Sequence, residues 1–257
     1  MLLVIYAPIL ILAVYSFTDS GNIGSIHGFS MQNYVTLFTK GELRDMIVGT
    51  VLLALVSSLL ATILGTMGAI GAFYSKKLAK NFINTANQIP VVNADVVTGF
   101  SICVLLIVAF GMNKESYVPL LIGHVVLSAP FVYLSVVPKL KQMDASLYEA
   151  AMDLGASPSM ALRKVVIPQI MPGIVSGFAL AITLSLDDYF IASYTKPATF
   201  NTISTYVVNA TKGSQTEIKT ALWALSTIIF LVVVVVELVL NLAPAKKAAG
   251  EETEIDE

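Results

Sequence analysis

Charge is scarce in this chain. Asp, Glu, Lys and Arg make up 12% of its 257 residues against 56% hydrophobic, and the mean hydropathy is +0.80. A soluble domain carries about twice that share of charge, so a water-exposed globule is excluded. Cysteine is rarer still. Cys103 stands alone in an apolar run, so one copy of the chain builds neither a disulfide nor a cysteine metal site, and Cys103 reads as a packing residue. A phosphate-binding loop is also lacking: the nearest approach, Gly213 to Lys219-Thr220, has Ile218 where the second glycine belongs. Any ATP chemistry must therefore come from another subunit, and no cofactor is expected in this chain. Scattered carboxylates, one cysteine and one intramembrane histidine supply neither a nucleophile-base pair nor a metal ligand set, which argues against an enzyme. No nucleic-acid partner is expected.

What is abundant is long apolar sequence. Crossing the hydrocarbon core takes about 20 apolar residues, and six stretches qualify: 2–17, 46–73, 82–110, 117–137, 166–194 and 220–243. The fold expected is an all-α integral membrane protein with six transmembrane helices over residues 1–243. The N-terminus shows neither the basic flank nor the small-residue cleavage site of a secretory signal, so 2–17 reads as a retained, short first span. Five of the seventeen acidic residues crowd into Glu251 to Glu257, and residues 244–257 read as a disordered acidic tail. Lys and Arg divide unevenly between the two sets of loops. Lys76, Lys77, Lys80, Lys139, Lys141, Arg163, Lys164, Lys246 and Lys247 fall on one side; Lys40, Arg44, Lys114, Lys196, Lys212 and Lys219 fall on the other. The richer side is taken as cytoplasmic, which places both termini and the 138–165 loop there.

Three features interrupt the apolar pattern. The second stretch repeats small residues at Ser57, Ala61, Gly65 and Ala69, with Gly68 and Ala72 beside them, a surface for close helix approach within the bundle or against another subunit. The third stretch, run as one helix, would be about 45 Å long, too long for one bilayer, and Pro90, Asn93 and Asp95 break it into a lead-in segment and a kinked span. Asp95, Asp187 and Asp188, with Tyr189 after them, are ionisable or aromatic groups at membrane depth. Such groups usually face a bundle interior or a wet path, and carboxylates beside aromatic rings suit an organic ammonium. His124 reads as a hydrogen-bonded packing residue, and Glu237 as a snorkelling side chain.

Residues 149–168 form a polar unit between the fourth and fifth stretches. Ser146 and Glu149 fit a capping box, Gly155 fits a left-handed helix end, and Ser157-Pro158 fits the start of a second helix. Pro168 and Pro172 mark the return to the membrane. From spacing alone, an amphipathic surface hairpin and a partner-docking element both remain open.

The residues themselves say more. Glu149-Ala150-Ala151, three residues, Gly155, nine residues, then Val165-x-Ile167-Pro168 resembles the cytoplasmic EAA loop of the membrane subunits of binding-protein-dependent ABC importers. Tyr6-Ala-Pro-Ile-Leu-Ile-Leu, Ala94-Asp95-Val96, Leu140 to Leu154 and Thr183-Leu-Ser-Leu-Asp-Asp188 extend the resemblance to the permeases of spermidine/putrescine transporters over nearly the whole chain. The resemblance implies a type I ABC importer permease fold whose EAA coupling helix, between spans 4 and 5, docks on a cytoplasmic ATPase dimer that binds ATP and Mg. The contact residues would be Leu147, Glu149, Ala150, Ala151, Leu154 and Gly155. It also implies a second homologous permease subunit, an extracytoplasmic polyamine-binding protein, and a bacterial cytoplasmic membrane location. Asp95, Asp187, Asp188 and Tyr189 would lie on the polyamine path. Another small solute in the same architecture is the rival cargo, and a non-transport scaffold is the remote rival.

Overall fold

The structure is a computed structural model that describes residues 2–18, 28–144, 146–212, 221–231 and 234. It is helical: α1 (Leu2–Ser16), α2 (Gln32–Thr39), α3 (Gly41–Tyr74), α4 (Lys77–Val92), α5 (Asp95–Cys103), α6 (Val118–Gln142), α7 (Ser146–Asp153), α8 (Pro158–Ala161), α9 (Ile167–Asp187), α10 (Phe190–Thr195) and α11 (Ile203–Lys212), then α12 (Ala221–Leu231). Among the described residues, three helices are long and apolar enough to cross a membrane: Gly41–Tyr74, Val118–Gln142 and Pro158–Asp187. α1 has 15 residues, about 22 Å, short of a bilayer. The expected tail at 244–257 and Glu237 lie outside the described residues.

Two compact units divide the chain, Met1–Asp45 with Val207–Glu257, and Met46–Tyr206. In the first, Tyr15 meets the ring of Trp223 edge-on at 5.7 Å, and the Asn33 amide donates to the carbonyls of Ser16 and Thr18, both at 3.0 Å. Asn33 thereby satisfies carbonyls left open where α1 ends.

The second unit contains the main core, built where α3, α6 and α9 meet: Ala69, Ala72, Val132, Tyr133, Val136, Leu140, Val166 and Ile170 are buried together. The small-residue row of α3 is used inside the chain. Ser57, Ala61 and Ala69 are fully buried, and a Cβ added at Gly65 would stand 2.7 Å from the Ala129 carbonyl oxygen of α6. On α9, added Cβ atoms at Gly173 and Gly177 would meet the α6 backbone at 2.9 Å and 3.1 Å. Small residues thus let backbones approach where no water-driven force squeezes helices together. Larger side chains such as Leu52, Leu59, Ile63 and Met67 are left on the exposed surface of α3. Gly65→Val is expected to force α3 off α6 and cost about 1–3 kcal/mol, read as a lower melting temperature of the purified protein; an unchanged melting temperature would contradict this packing.

The third apolar stretch divides at the expected break into a lead-in helix, α4, and a second helix that begins at Asp95. α4 and the helix Asp95–Ala109 meet at 107°, with Asn93 and Ala94 extended between them. Asn93 bridges the corner by donating to Thr98 Oγ1 at 3.0 Å. Beyond Cys103 the helix widens into a π-helical turn, Val104–Ala109. The fifth stretch, taken as one run over 166–194, also breaks: α9 stops at Asp187 and α10 restarts at Phe190.

Candidate functional site

Two groups of residues carry the candidate function, at opposite ends of one helix. The first is the polar unit. Asp144 Oδ1 accepts from the Ser146 amide at 2.9 Å and from the Ser146 hydroxyl at 2.8 Å, so Asp144 starts α7 and the expected Ser146–Glu149 box does not form. Ser146 donates its hydroxyl backwards instead of accepting, and Glu149 is left exposed. These bonds hold the Asp144 carboxyl below its ordinary value of 3.8, so the cap is anionic at neutral pH.

α7 ends in a Schellman motif. The Ala156 amide donates to the Ala151 carbonyl at 3.0 Å and the Gly155 amide to the Met152 carbonyl at 2.9 Å. Gly155 sits at φ +87, the left-handed conformation that closes a helix and that a Cβ disfavours. Ser157 then caps α8 through the Met160 amide at 3.4 Å, with Pro158 in the first turn. Tyr148 is the inward anchor: its ring lies 4.9 Å from that of Tyr74, and it packs with Leu162 on the main core. The outward side keeps apolar groups in water's reach. Leu154 is 89% exposed, and Leu147, Met152 and Met160 are also exposed. Leu147, Ala150, Ala151 and Leu154 recur at helical spacing and form one low-profile stripe.

α8 does not end the unit. It runs through a π-helical turn, Leu162–Val166, into α9, giving one helix, Pro158–Asp187, of 30 residues, about 45 Å. The Ile167 amide reaches back to the Leu162 carbonyl. This wide turn sits just before Pro168, whose ring and missing amide an ordinary helical turn would not accommodate.

The second group lies where that helix stops. The Asp188 backbone is extended at ψ 123, and its carboxylate accepts from the amides of Ile191 at 3.2 Å and Ala192 at 2.7 Å, capping α10. Asp188 is only 8% exposed. His124, on α6 and 0% exposed, places Nε2 at 3.7 Å from Asp188 Oδ2 and Nδ1 at 2.9 Å from Ser185 Oγ. Ser185 Oγ is 3.0 Å from Ser57 Oγ on α3. One polar chain therefore ties α3, α6 and α9 to the start of α10. Glycines make room: an added Cβ at Gly99 of α5 would lie 2.9 Å from Ile191 Cα, and one at Gly123 of α6 would lie 2.5 Å from Ile191 Cγ2.

Asp95, in the first turn of α5, and Asp187 both act electrostatically on Asp188. Asp187 is the chain neighbour of Asp188, and the fold brings Asp95, distant in sequence, near enough for its charge to be felt there. The three differ in setting: Asp95 and Asp187 are exposed, and Asp188 is buried. Neither exposed carboxylate has a salt-bridge partner among the described residues. Tyr189 is half-buried with its ring edge-on to Phe190 at 5.3 Å, and Tyr194 meets Phe100 at 5.8 Å. His124 is hydrogen-bonded and buried; its approach to Asp188 has no sequence signal. Among the described residues, no three His, Cys, Asp or Glu side chains are placed to hold a metal.

Apolar helices of membrane-crossing length, with an exposed helix-turn-helix between two of them, define a multi-pass membrane protein. The family model described as binding-protein-dependent transport system inner membrane component matches residues 61–246, and the chain belongs to that family. It is 30% identical over 231 residues, 90% of this chain and 89% of the relative, to the spermidine/putrescine transport system permease protein PotC of Haemophilus influenzae. It is 33% identical over 195 residues, 74% of this chain and 69% of the relative, to the putrescine transport system permease protein PotI of Escherichia coli. In fold it is similar to a chain in the crystal structure of a bacterial ABC transporter involved in the import of the acidic polysaccharide alginate, with a TM-score of 0.70 at 18% identity, covering 94% of this chain and 89% of that one.

Proposed function

We propose that this chain is a permease subunit of an ATP-driven importer for polyamines, forming half of the translocation path beside a second homologous permease. Six spans with both termini in the cytoplasm, a cytoplasmic ATPase dimer that binds ATP and Mg, and an extracytoplasmic polyamine-binding protein complete the assembly. This chain performs no covalent chemistry. The observation that carries the reading is the single helix Pro158–Asp187, which starts in the EAA unit and ends at the carboxylates. Closure of the ATPase dimer pushes on Leu147, Glu149, Ala150, Ala151 and Leu154, and Gly155 keeps α7 and α8 one body. A rigid helix carries that push to Asp187 and Asp188, changing the setting of the carboxylates a cation meets.

The cargo reading is supported by relatives whose names specify spermidine and putrescine, and by charge. Asp95 and Asp187, exposed and without cationic partners among the described residues, suit ammonium groups of a flexible polycation, and the Tyr189 ring adds face attraction. Weak successive contacts fit a path that must release what it binds. The complete importer, reconstituted in vesicles, tests this with a solute panel. Binding-protein-stimulated ATP hydrolysis is expected with spermidine or putrescine and not with molybdate, thiamine or phosphonate. Stimulation by an anion alone would replace the cargo; binding of the ATPase with no solute moved would favour a scaffold.

A further inference from the structure

Beside the α7 unit, a cavity of about 60 Å³ opens between the last turns of α3, the first turns of α4 and the last turns of α6, lined by Phe73, Lys80, Asn84, Tyr133 and Lys141 among others. Its charge is one-sided. Two lysines and no carboxylate line it, and neither lysine has a salt-bridge partner among the described residues. Lys80 is half-buried and Lys141 exposed.

The neutral groups lean the same way. The Tyr133 hydroxyl donates to Asn84 Oδ1, which fixes the oxygen of that amide as an acceptor and leaves its two Nδ2 hydrogens to donate. With Lys80 and Lys141 beside them, the polar residues of the wall supply cations and donors, and no carboxylate is among them. The remaining lining, Ala69, Ala72, Val137 and Leu140, is apolar, and such a wall strengthens attraction to an anion by excluding water. The volume lies far below the several hundred Å³ of an organic ligand's pocket, which leaves room only for a small group.

We propose that this cavity binds a phosphate group, presented by an acidic phospholipid of the surrounding leaflet or by phosphate in solution. α4 supplies a lipid-compatible flank. Leu78 and Phe82, on the same two turns as Lys80 and Asn84, are among the most exposed apolar side chains of the described residues, and acyl chains lie against them while the headgroup meets the lysines. Phe73 of the cavity wall contacts Tyr74, the ring centroids being 5.1 Å apart, and Tyr74 contacts Tyr148 of α7. Occupancy therefore stiffens the anchor of the α7 unit. The site uses none of the residues assigned to the cargo path.

Native mass spectrometry of the purified complete transporter reads the site with three probes: phosphatidylglycerol, phosphatidylcholine and inorganic phosphate. Wild type is expected to retain phosphatidylglycerol about tenfold better than the Lys80→Gln/Lys141→Gln double variant. Lys80→Arg/Lys141→Arg and the distant control Lys114→Gln should both retain it as wild type does. Asn84→Leu, which keeps both charges, should lose retention severalfold and covers the case in which the Gln pair assembles poorly. Displacement of the lipid by millimolar inorganic phosphate assigns the soluble source, and retention despite it assigns the headgroup. Equal retention of both lipids, or a Gln pair and Asn84→Leu that bind like wild type, overturns the proposal.

Discussion

Gly155→Pro is expected to leave the chain inserted in the membrane and to reduce capture of the ATPase by more than tenfold. Gly155 sits at φ +87, and proline is locked near −65°. The substitution also deletes the amide that donates to the Met152 carbonyl, so both halves of the Schellman closure fail. A proline misplaced in this way costs about 3 kcal/mol, and tenfold corresponds to about 1.4 kcal/mol. The damage is local because the core beneath the unit is anchored by Tyr148 and Leu162, which the substitution does not touch. Gly155→Ala carries only the left-handed penalty of about 1–2 kcal/mol and should fall between. Ala151→Glu keeps the turn but places a bulky charge in the stripe of Leu147, Ala150 and Leu154, and should lose capture with α7 intact. Co-purification of a tagged ATPase from membranes, normalised to inserted permease, measures all three. Undiminished capture by Gly155→Pro would remove the docking role from α7.

The α7–α8 unit was legible because its signals are local. A glycine that must turn left-handed and a Ser-Pro pair that starts a helix each act within four residues. The cap was misassigned for an equally local reason: the Asp144 carboxylate accepts both the amide and the hydroxyl of Ser146, which turns that hydroxyl away from the helix. The small-residue row on α3 announced close packing, but its partner α6 is named only in three dimensions.

The breaks were legible to different degrees. Pro90 and Asn93 marked the division into a lead-in segment and a span, but no residue type specified the 107° turn between them. Nothing so plain marks residues 188–189, where no proline or glycine interrupts the apolar run. The signal was the acidic pair itself: an aspartate ahead of a hydrophobic segment is a helix-start residue as well as a candidate ligand. The link from His124 to Ser185 and Asp188 was beyond reach, since it spans 61 residues at Ser185 and has no periodicity. Ser185 holds the middle of the chain from Ser57 to His124.

That geometry separates two neighbours the sequence treats alike, and their substitutions are expected to fail in different ways. Asp188→Ala removes two charge-assisted bonds to the Ile191 and Ala192 amides, each worth about 1.5–3 kcal/mol, and strands buried donors. α10 then loses its start, and Ile191 loses its fixed seat between Gly99 and Gly123. A net cost of about 3 kcal/mol is expected, with a lower melting temperature, poorer assembly and loss of uptake together. Asp188→Asn keeps one neutral acceptor and should fall between. Asp187 is exposed and accepts no bond among the described residues, so Asp187→Asn should shift stability by no more than about 0.5 kcal/mol. Its effect is expected in transport: spermidine uptake by sealed vesicles falls, most at low substrate, while the complex assembles and hydrolyses ATP at its basal rate. Asp95→Asn should behave as Asp187→Asn does. Melting curves and uptake measured on the same preparations distinguish these outcomes. An Asp188→Ala protein as stable as wild type would refute the capping role, and undiminished uptake by both Asp187→Asn and Asp95→Asn would take those carboxylates out of the path.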